Sequence, residues 1–230
     1  MKEKPKTARP THLAVEGPIG AGKTTLVKRL AEKLGYRAVL EEADDNPFLA
    51  EFYRSPRRSA FQAQLFFLLS RWRQQLELSE PDLFSPGVVF DYILPKDRLF
   101  AELVLSEKEL YLYQKLEEGL SKTARRPDLV IYLEASFPVL WRRIKVRDRE
   151  YEKNMSPEYL EKVVDKYRQF FFDYRETPLL VVNTDKLDFV SNNSDFALLV
   201  EEIEKPSLGT RYWRPDFTDA APLMEKQKKR

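Results

Sequence analysis

Short apolar runs alternate along this chain with longer stretches of helical period. Residues 12–16, 37–41, 87–91, 128–134 and 178–183 are compact apolar runs and read as strands. Between them apolar residues recur every three or four positions. Residues 24–34 set Leu26, Val27, Leu30 and Leu34 on one face and stop at Gly35, a glycine suited to a left-handed cap. Residues 58–78 form the longest predicted helix, with Phe61, Leu65, Leu68, Leu69, Trp72 and Leu76 as its apolar line. Further helices are predicted over 96–105, 106–124, 138–147, 157–174 and 189–203. The 106–124 helix opens on a capping box, Ser106 with Glu109. The 157–174 helix follows Ser156-Pro157, a cap with proline at the first helical position. Residues 1–11 and 215–230, the latter ending in KQKKR, are expected to fray.

Strands alternating with helices imply an α/β fold. The expectation is a five-stranded parallel sheet with helices on both faces, in one domain over residues 1–230. Such a sheet binds ligands at the carboxyl ends of its strands.

Composition narrows the partners. The 230 residues include 43% hydrophobic positions, enough for one sizeable core. With 39 basic against 37 acidic residues the net charge is +2, so no global field argues for nucleic acid or a membrane, and a phosphate ligand needs a local site. No cysteine is present, which excludes disulfides and thiolate metal sites and fits a reducing cytoplasm. The N-terminal stretch lacks the apolar core of a signal peptide, and no apolar run is long enough to span a bilayer.

Only seven glycines occur, and three of them, Gly17, Gly20 and Gly22, crowd into one short stretch. That stretch, Gly17-Pro18-Ile19-Gly20-Ala21-Gly22-Lys23-Thr24, fits G-x-x-x-x-G-K-[ST]. Amide N–H groups of such a turn close around a polyphosphate, and the following helix N-terminus adds partial positive charge. Lys23 neutralises the outer phosphate oxygens, and the Thr24 hydroxyl, followed by Thr25, suits Mg²⁺. A chance match in a chain of this length is on the order of one percent, and this one also lies between a strand and a helix. A nucleotide site follows.

The reaction must be read elsewhere. Among the strand ends, Glu41, Asp91 and Glu134 are acids. An acid at that edge orders Mg²⁺ or takes a proton from an attacking hydroxyl; equally, strand ends are where solvent begins, and Glu134 is read that way. Gln64 and Arg71 interrupt an apolar helix and lie about 10 Å apart along its axis, a span that suits the edge of a flat heterocycle or merely an exposed helix side. Arg142, Arg143, Lys145, Arg147 and Arg149 read by default as a solvated face, but a basic lid over a transferring phosphoryl group needs such arginines. The lone His12 is assigned no role.

Together the stretches VEGPIGAGKTTL, LEEADDNPFLAEFY, FQAQLFFLLSRWRQ, VVFDYILPKDRLFA, RRIKVRDREYE and VVNTDKLDF resemble the deoxyribonucleoside kinase family, in its bacterial deoxyguanosine/deoxyadenosine kinase branch. They run in family order from about residue 13 to 190. The resemblance implies a P-loop kinase fold with a short basic lid, ATP with Mg²⁺ as phosphate donor, a purine deoxyribonucleoside as acceptor, and a homodimer joined through helices such as 58–78. It implies that Glu41 removes the 5′-hydroxyl proton, with the adjacent Glu42 still open. It pairs Tyr53 and Glu152 on the sugar 3′-hydroxyl and assigns Gln64, Arg71 and Asp97 to the base, with Phe100 as a stacking ring. Arg147 and Arg149 become lid arginines, and Asp91 the acid that helps place Mg²⁺.

Three positions depart from the family pattern. Tyr92 stands where [DE]-R-S has arginine, so that contact must come from elsewhere, with Arg98 or the lid as candidates. The Asp97–Phe100 spacing is one residue short, and Asp148 replaces a common lid glycine. The rival readings are a thymidylate-type nucleoside monophosphate kinase, a non-catalytic P-loop subunit and a nucleotide switch. The first demands an arginine clamp for an anionic acceptor, and the others need no acceptor site.

Overall fold

The computed structural model describes residues 9–77, 85–120 and 125–215. Leu78, residues 121–124 of the helix predicted over 106–124, and most of the two expected tails lie outside this set. Pro10 and Thr11 are tied down, Pro10 accepting from the Tyr36 hydroxyl at 3.0 Å and Thr11 donating its N–H to Asp128 at 2.9 Å.

In chain order the elements are β1 (His12–Glu16), α1 (Lys23–Leu34), β2 (Arg37–Val39), α2 (Leu49–Arg54), α3 (Pro56–Glu77), β3 (Val88–Phe90), α4 (Lys96–Val104), α5 (Glu107–Leu120), β4 (Leu129–Glu134), α6 (Phe137–Arg147), α7 (Pro157–Asp173), β5 (Leu179–Asn183), α8 (Asn193–Glu204) and β6 (Thr210–Trp213). The sheet order is β2-β3-β1-β4-β5-β6, and every neighbouring pair is parallel. The sheet therefore has six strands, not the five expected. Thr210–Trp213 follows Gly209 and carries β-favouring Thr, Tyr and Trp, but it is four residues long and half exposed, so it leaves almost no periodic signal.

Alternation along the strands divides the core. Leu129, Ile131 and Leu133 of β4 join Leu26, Val27 and Leu30 of α1 and Leu199 and Ile203 of α8 on one face. Val130 and Tyr132 face the other way, onto Leu99 of α4 and Val163, Tyr167 and Phe171 of α7. Each fully buried aliphatic chain contributes roughly 1.5–3 kcal/mol, so this two-sided burial holds the strand ends in fixed register. Local signals agree with the elements. The Ser106 N–H and hydroxyl both reach Glu109, at 2.9 and 2.6 Å, and Ser156 caps α7 by accepting from Tyr159. The closing helix starts at 193 rather than 189 because Asp188 folds 188–191 into a turn, accepting from Val190 and Ser191.

The long helix α3 divides its apolar line: Leu68 is buried, yet polar side chains share the inner face. It buries Gln64, Ser70, Arg71 and Gln74, whereas Leu69 and Leu76 of its apolar line are 44% and 42% exposed. Polar side chains turn inward because the chain segment they meet, residues 40–46, offers polar partners. Gln74 donates to the Leu40 carbonyl at 2.9 Å, Ser70 to Glu42 at 2.5 Å, and Asn46 reaches back to the Ala63 carbonyl at 3.1 Å.

Candidate active site

The loop from β1 into α1 is built around glycines at Gly20 and Gly22. Both have left-handed φ, +86° and +94°, and a Cβ on either would press within 2.9 Å of Ile144 or of the Phe189 ring. Side-chain-free backbone is therefore required, which leaves the amides free to face a ligand. Lys23 folds back onto the Gly17 and Pro18 carbonyls at 2.7 and 3.2 Å. Burial, then the nearby Lys96 ammonium, lowers its pKa to about 8. The buried Glu16 braces this loop: it accepts from the Gly17 N–H at 3.0 Å, the Ile93 N–H at 2.9 Å and the Tyr167 hydroxyl at 3.0 Å. One carboxylate thus ties together the ends of β1 and β3 and helix α7.

A groove of about 720 Å³ runs past the loop to Arg142, Arg143 and residues 185–190. Beside it, sharing Lys23, Thr24, Arg147 and Arg149, lies a tighter cleft of about 240 Å³. Glu41, Tyr53, Gln64, Arg71, Asp91, Phe100 and Glu152 all line that cleft. Asp97 does not; it lies behind the wall, ion-paired with the buried Arg71.

Asp91 and Thr24 meet directly, the hydroxyl donating at 2.9 Å, and the other Asp91 oxygen accepts the Glu41 N–H at 2.6 Å. Burial, then the charge of Glu41, raises the Asp91 pKa. Burial also opposes ionisation of Glu41, but the Arg71 guanidinium and the Lys96 ammonium outweigh it and hold this carboxyl well below the usual range. Glu42 turns away to Ser70 and Arg73, so Glu41 is the acid that faces the cleft.

Across the cleft, Glu152 pairs with Arg147 and keeps its other oxygen buried and unpartnered. Arg149 binds Tyr151, whose hydroxyl donates to Asp44 at 2.9 Å. Tyr53 stacks on Tyr151 with centroids 6.2 Å apart, and Tyr159 closes the same aromatic wall. Burial raises the Tyr53 pKa well above its ordinary value, which keeps the phenol a neutral hydrogen-bond donor.

Two expectations are corrected. Arg98 does not stand in for the arginine missing at position 92: it is exposed and paired with Glu102 at 3.1 Å. Lys96, two residues earlier, joins Arg71 as a cation beside Glu41, and Tyr92 instead donates to Gln74 at 2.8 Å beneath Arg71. Arg143 spends its guanidinium on Thr184 rather than on the lid. At the end of α6, Asp148 takes the left-handed conformation itself, at φ 49°. Lys96, Tyr151, Tyr159 and Glu16 were missed. Of these only Glu16 carried a signal, as an acid closing a strand directly before the glycine-rich turn.

A parallel α/β sheet with a phosphate loop opening one helix, a basic segment over it and a carboxylate-lined cleft alongside defines a P-loop phosphotransferase. The family model for deoxynucleoside kinases matches residues 13–206, and the chain belongs to that family of nucleoside-phosphorylating enzymes. It is 37% identical over 199 residues to the deoxyguanosine kinase of Bacillus subtilis (strain 168), covering 84% of this chain and 96% of that one. It is also 37% identical over 184 residues to the deoxyadenosine kinase of Dictyostelium discoideum, covering 77% and 74%. The solved deoxyadenosine kinase from M. mycoides with bound dATP matches with a TM-score of 0.72 at 25% identity, covering 84% of this chain and 98% of that one. The same enzyme with products dCMP and a flexible dCDP gives a TM-score of 0.71. Among the described residues no helix is long and apolar enough to cross a membrane.

Proposed function

We propose that the chain transfers the γ-phosphate of ATP to the 5′-hydroxyl of a purine deoxyribonucleoside, returning preformed nucleosides to the nucleotide pool of the cytoplasm. The observation that carries this reading is Glu41, held ionised at the wall where the cleft meets the phosphate loop. An ionised carboxylate there accepts the proton of an attacking hydroxyl. Gln64 and Arg71 offer hydrogen bonds to a base edge beside Phe100, and Tyr53 with the free oxygen of Glu152 suits the 3′-hydroxyl. Arg147 and Arg149 line both the donor groove and the acceptor cleft, which suits them to the transferring phosphoryl group, and Lys23 with the amides of residues 17–25 suits the donor phosphates. The Thr24 hydroxyl and Asp91 carboxylate are a hard-oxygen pair that fits Mg²⁺, which when bound neutralises charge on the β and γ oxygens. Deoxyguanosine and deoxyadenosine name the substrates of the relatives, which supports a purine.

A monophosphate acceptor is disfavoured because the acceptor-side guanidinium, Arg71, is already bound to Glu41 and Asp97. The apolar residues that α3 and α5 leave exposed, Leu69 and Leu76 with Leu112 and Leu116, favour a homodimer packed helix to helix. The test is ADP release from Mg-ATP with each of the four deoxyribonucleosides and their monophosphates. Release driven by deoxyguanosine or deoxyadenosine is expected; release with monophosphates alone overturns the acceptor assignment.

A further inference from the structure

Lys96 opens α4, the position where a helix dipole least favours a cation, and it is 4% exposed. Lysine is almost never buried this deeply without a reason, and a buried ion pair is commonly no more stabilising than apolar packing. Its cost to the fold is therefore a pointer to use. Its ammonium lies 3.2 and 3.3 Å from the two oxygens of Glu41, whereas Arg71 meets only one of them and is anchored at its other nitrogen by Asp97.

We propose that Lys96 is the positioning residue of the phosphoryl transfer, orienting the Glu41 carboxylate toward the attacking hydroxyl. The proposal rests on the reading of Glu41 as the base. Lys96 bridges both carboxylate oxygens, so when one turns to the 5′-hydroxyl the ammonium stays bonded to the other. The hydroxyl proton passes to Glu41, the new bond forms from the 5′-oxygen to the γ-phosphorus, and the bond from that phosphorus to the ADP oxygen breaks. Lys96 gives up no proton. Negative charge moving toward the phosphoryl group stays near its ammonium throughout.

On the phosphate side Lys23 lines the same cleft as Lys96 and Glu41. Arg71 cannot substitute, because its fork is already committed at both ends.

The test compares wild type, Lys96→Gln and Lys96→Arg with Mg-ATP and the best deoxyribonucleoside, measuring kcat and both KM values, with circular dichroism to check folding. Lys96→Gln is expected to lower kcat about 100-fold or more while each KM changes less than about threefold. Lys96→Arg, which keeps the charge, is expected to recover at least about tenfold of that loss. In a Glu41→Gln background, Lys96→Gln should cost little more, because the lysine acts through that carboxylate. Should Lys96→Gln fail to fold, Lys96→Met keeps the stem and reads the same quantity. A kcat within about threefold of wild type, or a loss confined to the nucleoside KM, overturns the proposal while the kinase reading stands. A wild type that phosphorylates no nucleoside overturns that reading and the proposal with it.

Discussion

The donor groove and the acceptor cleft share Lys23, Thr24, Arg147 and Arg149 yet are made of different materials. The donor side relies on backbone: glycines that tolerate left-handed φ and a helix N-terminus. It is about three times roomier, at 720 against 240 Å³. The acceptor side relies on side chains from seven places, namely the 40–46 loop, α2, α3, the end of β3, α4, the 150–152 turn and α7. Its charges are already paired before any ligand is present. A polyphosphate is recognised by charge and shape, which backbone amides supply. An uncharged nucleoside must be recognised by placed hydrogen bonds, which need rigid side chains.

Glu41→Gln should separate the two sides most sharply. Turnover is expected to fall about 1,000-fold while the ATP dissociation constant stays within about twofold, read by calorimetry beside single-turnover kinetics. Near-normal turnover removes Glu41 as the base.

Alkaline pH attacks the donor side instead. Lys23 titrates near 8, so above that pH the neutral form predominates, and binding ATP must take up a proton. The apparent ATP dissociation constant should rise toward tenfold per pH unit above 8, roughly 100-fold by pH 10, while nucleoside affinity changes far less. A flat profile through pH 10 contradicts the buried, self-bonded state of Lys23.

Gln64→Ala is expected to raise the nucleoside KM about tenfold and to leave the ATP KM unchanged, because the 4% exposed amide faces only the acceptor cleft. An unchanged KM for every base takes Gln64 out of recognition. The smallest effect is expected at the lid, where Asp148→Ala keeps the left-handed φ without a side chain suited to it. Stability should fall by about 1 kcal/mol, read as a lower Tm, with both KM values nearly unchanged.

The difference between the two sides also governs what was legible in the chain. The phosphate loop is contiguous, so its spacing, flanking strand and following helix were readable together. Glu41 and Asp91 were recognisable as strand-end acids, although only the fold distinguished Glu41 from Glu42, by giving Glu42 to Ser70 and Arg73. Lys96 passed unnoticed because a lysine between Pro95 and Asp97 reads as a solvated helix start; only the pairing of α4 with the 40–46 loop buries it. The long helix was ambiguous for the same reason. Periodicity locates its apolar line but not which face turns inward, and here polar partners in that loop decided it.

Local order thus came from the chain itself: strand and helix alternation, the caps at Ser106 and Ser156, and the glycine-rich turn all depend on neighbours within a few residues. The acceptor cleft came from tertiary structure, because its groups lie up to 111 positions apart, from Glu41 to Glu152. They meet only once both faces of the sheet are packed. A contact between distant side chains has no period and no spacing, so it acquires meaning only when burial forces each charge to find its partner.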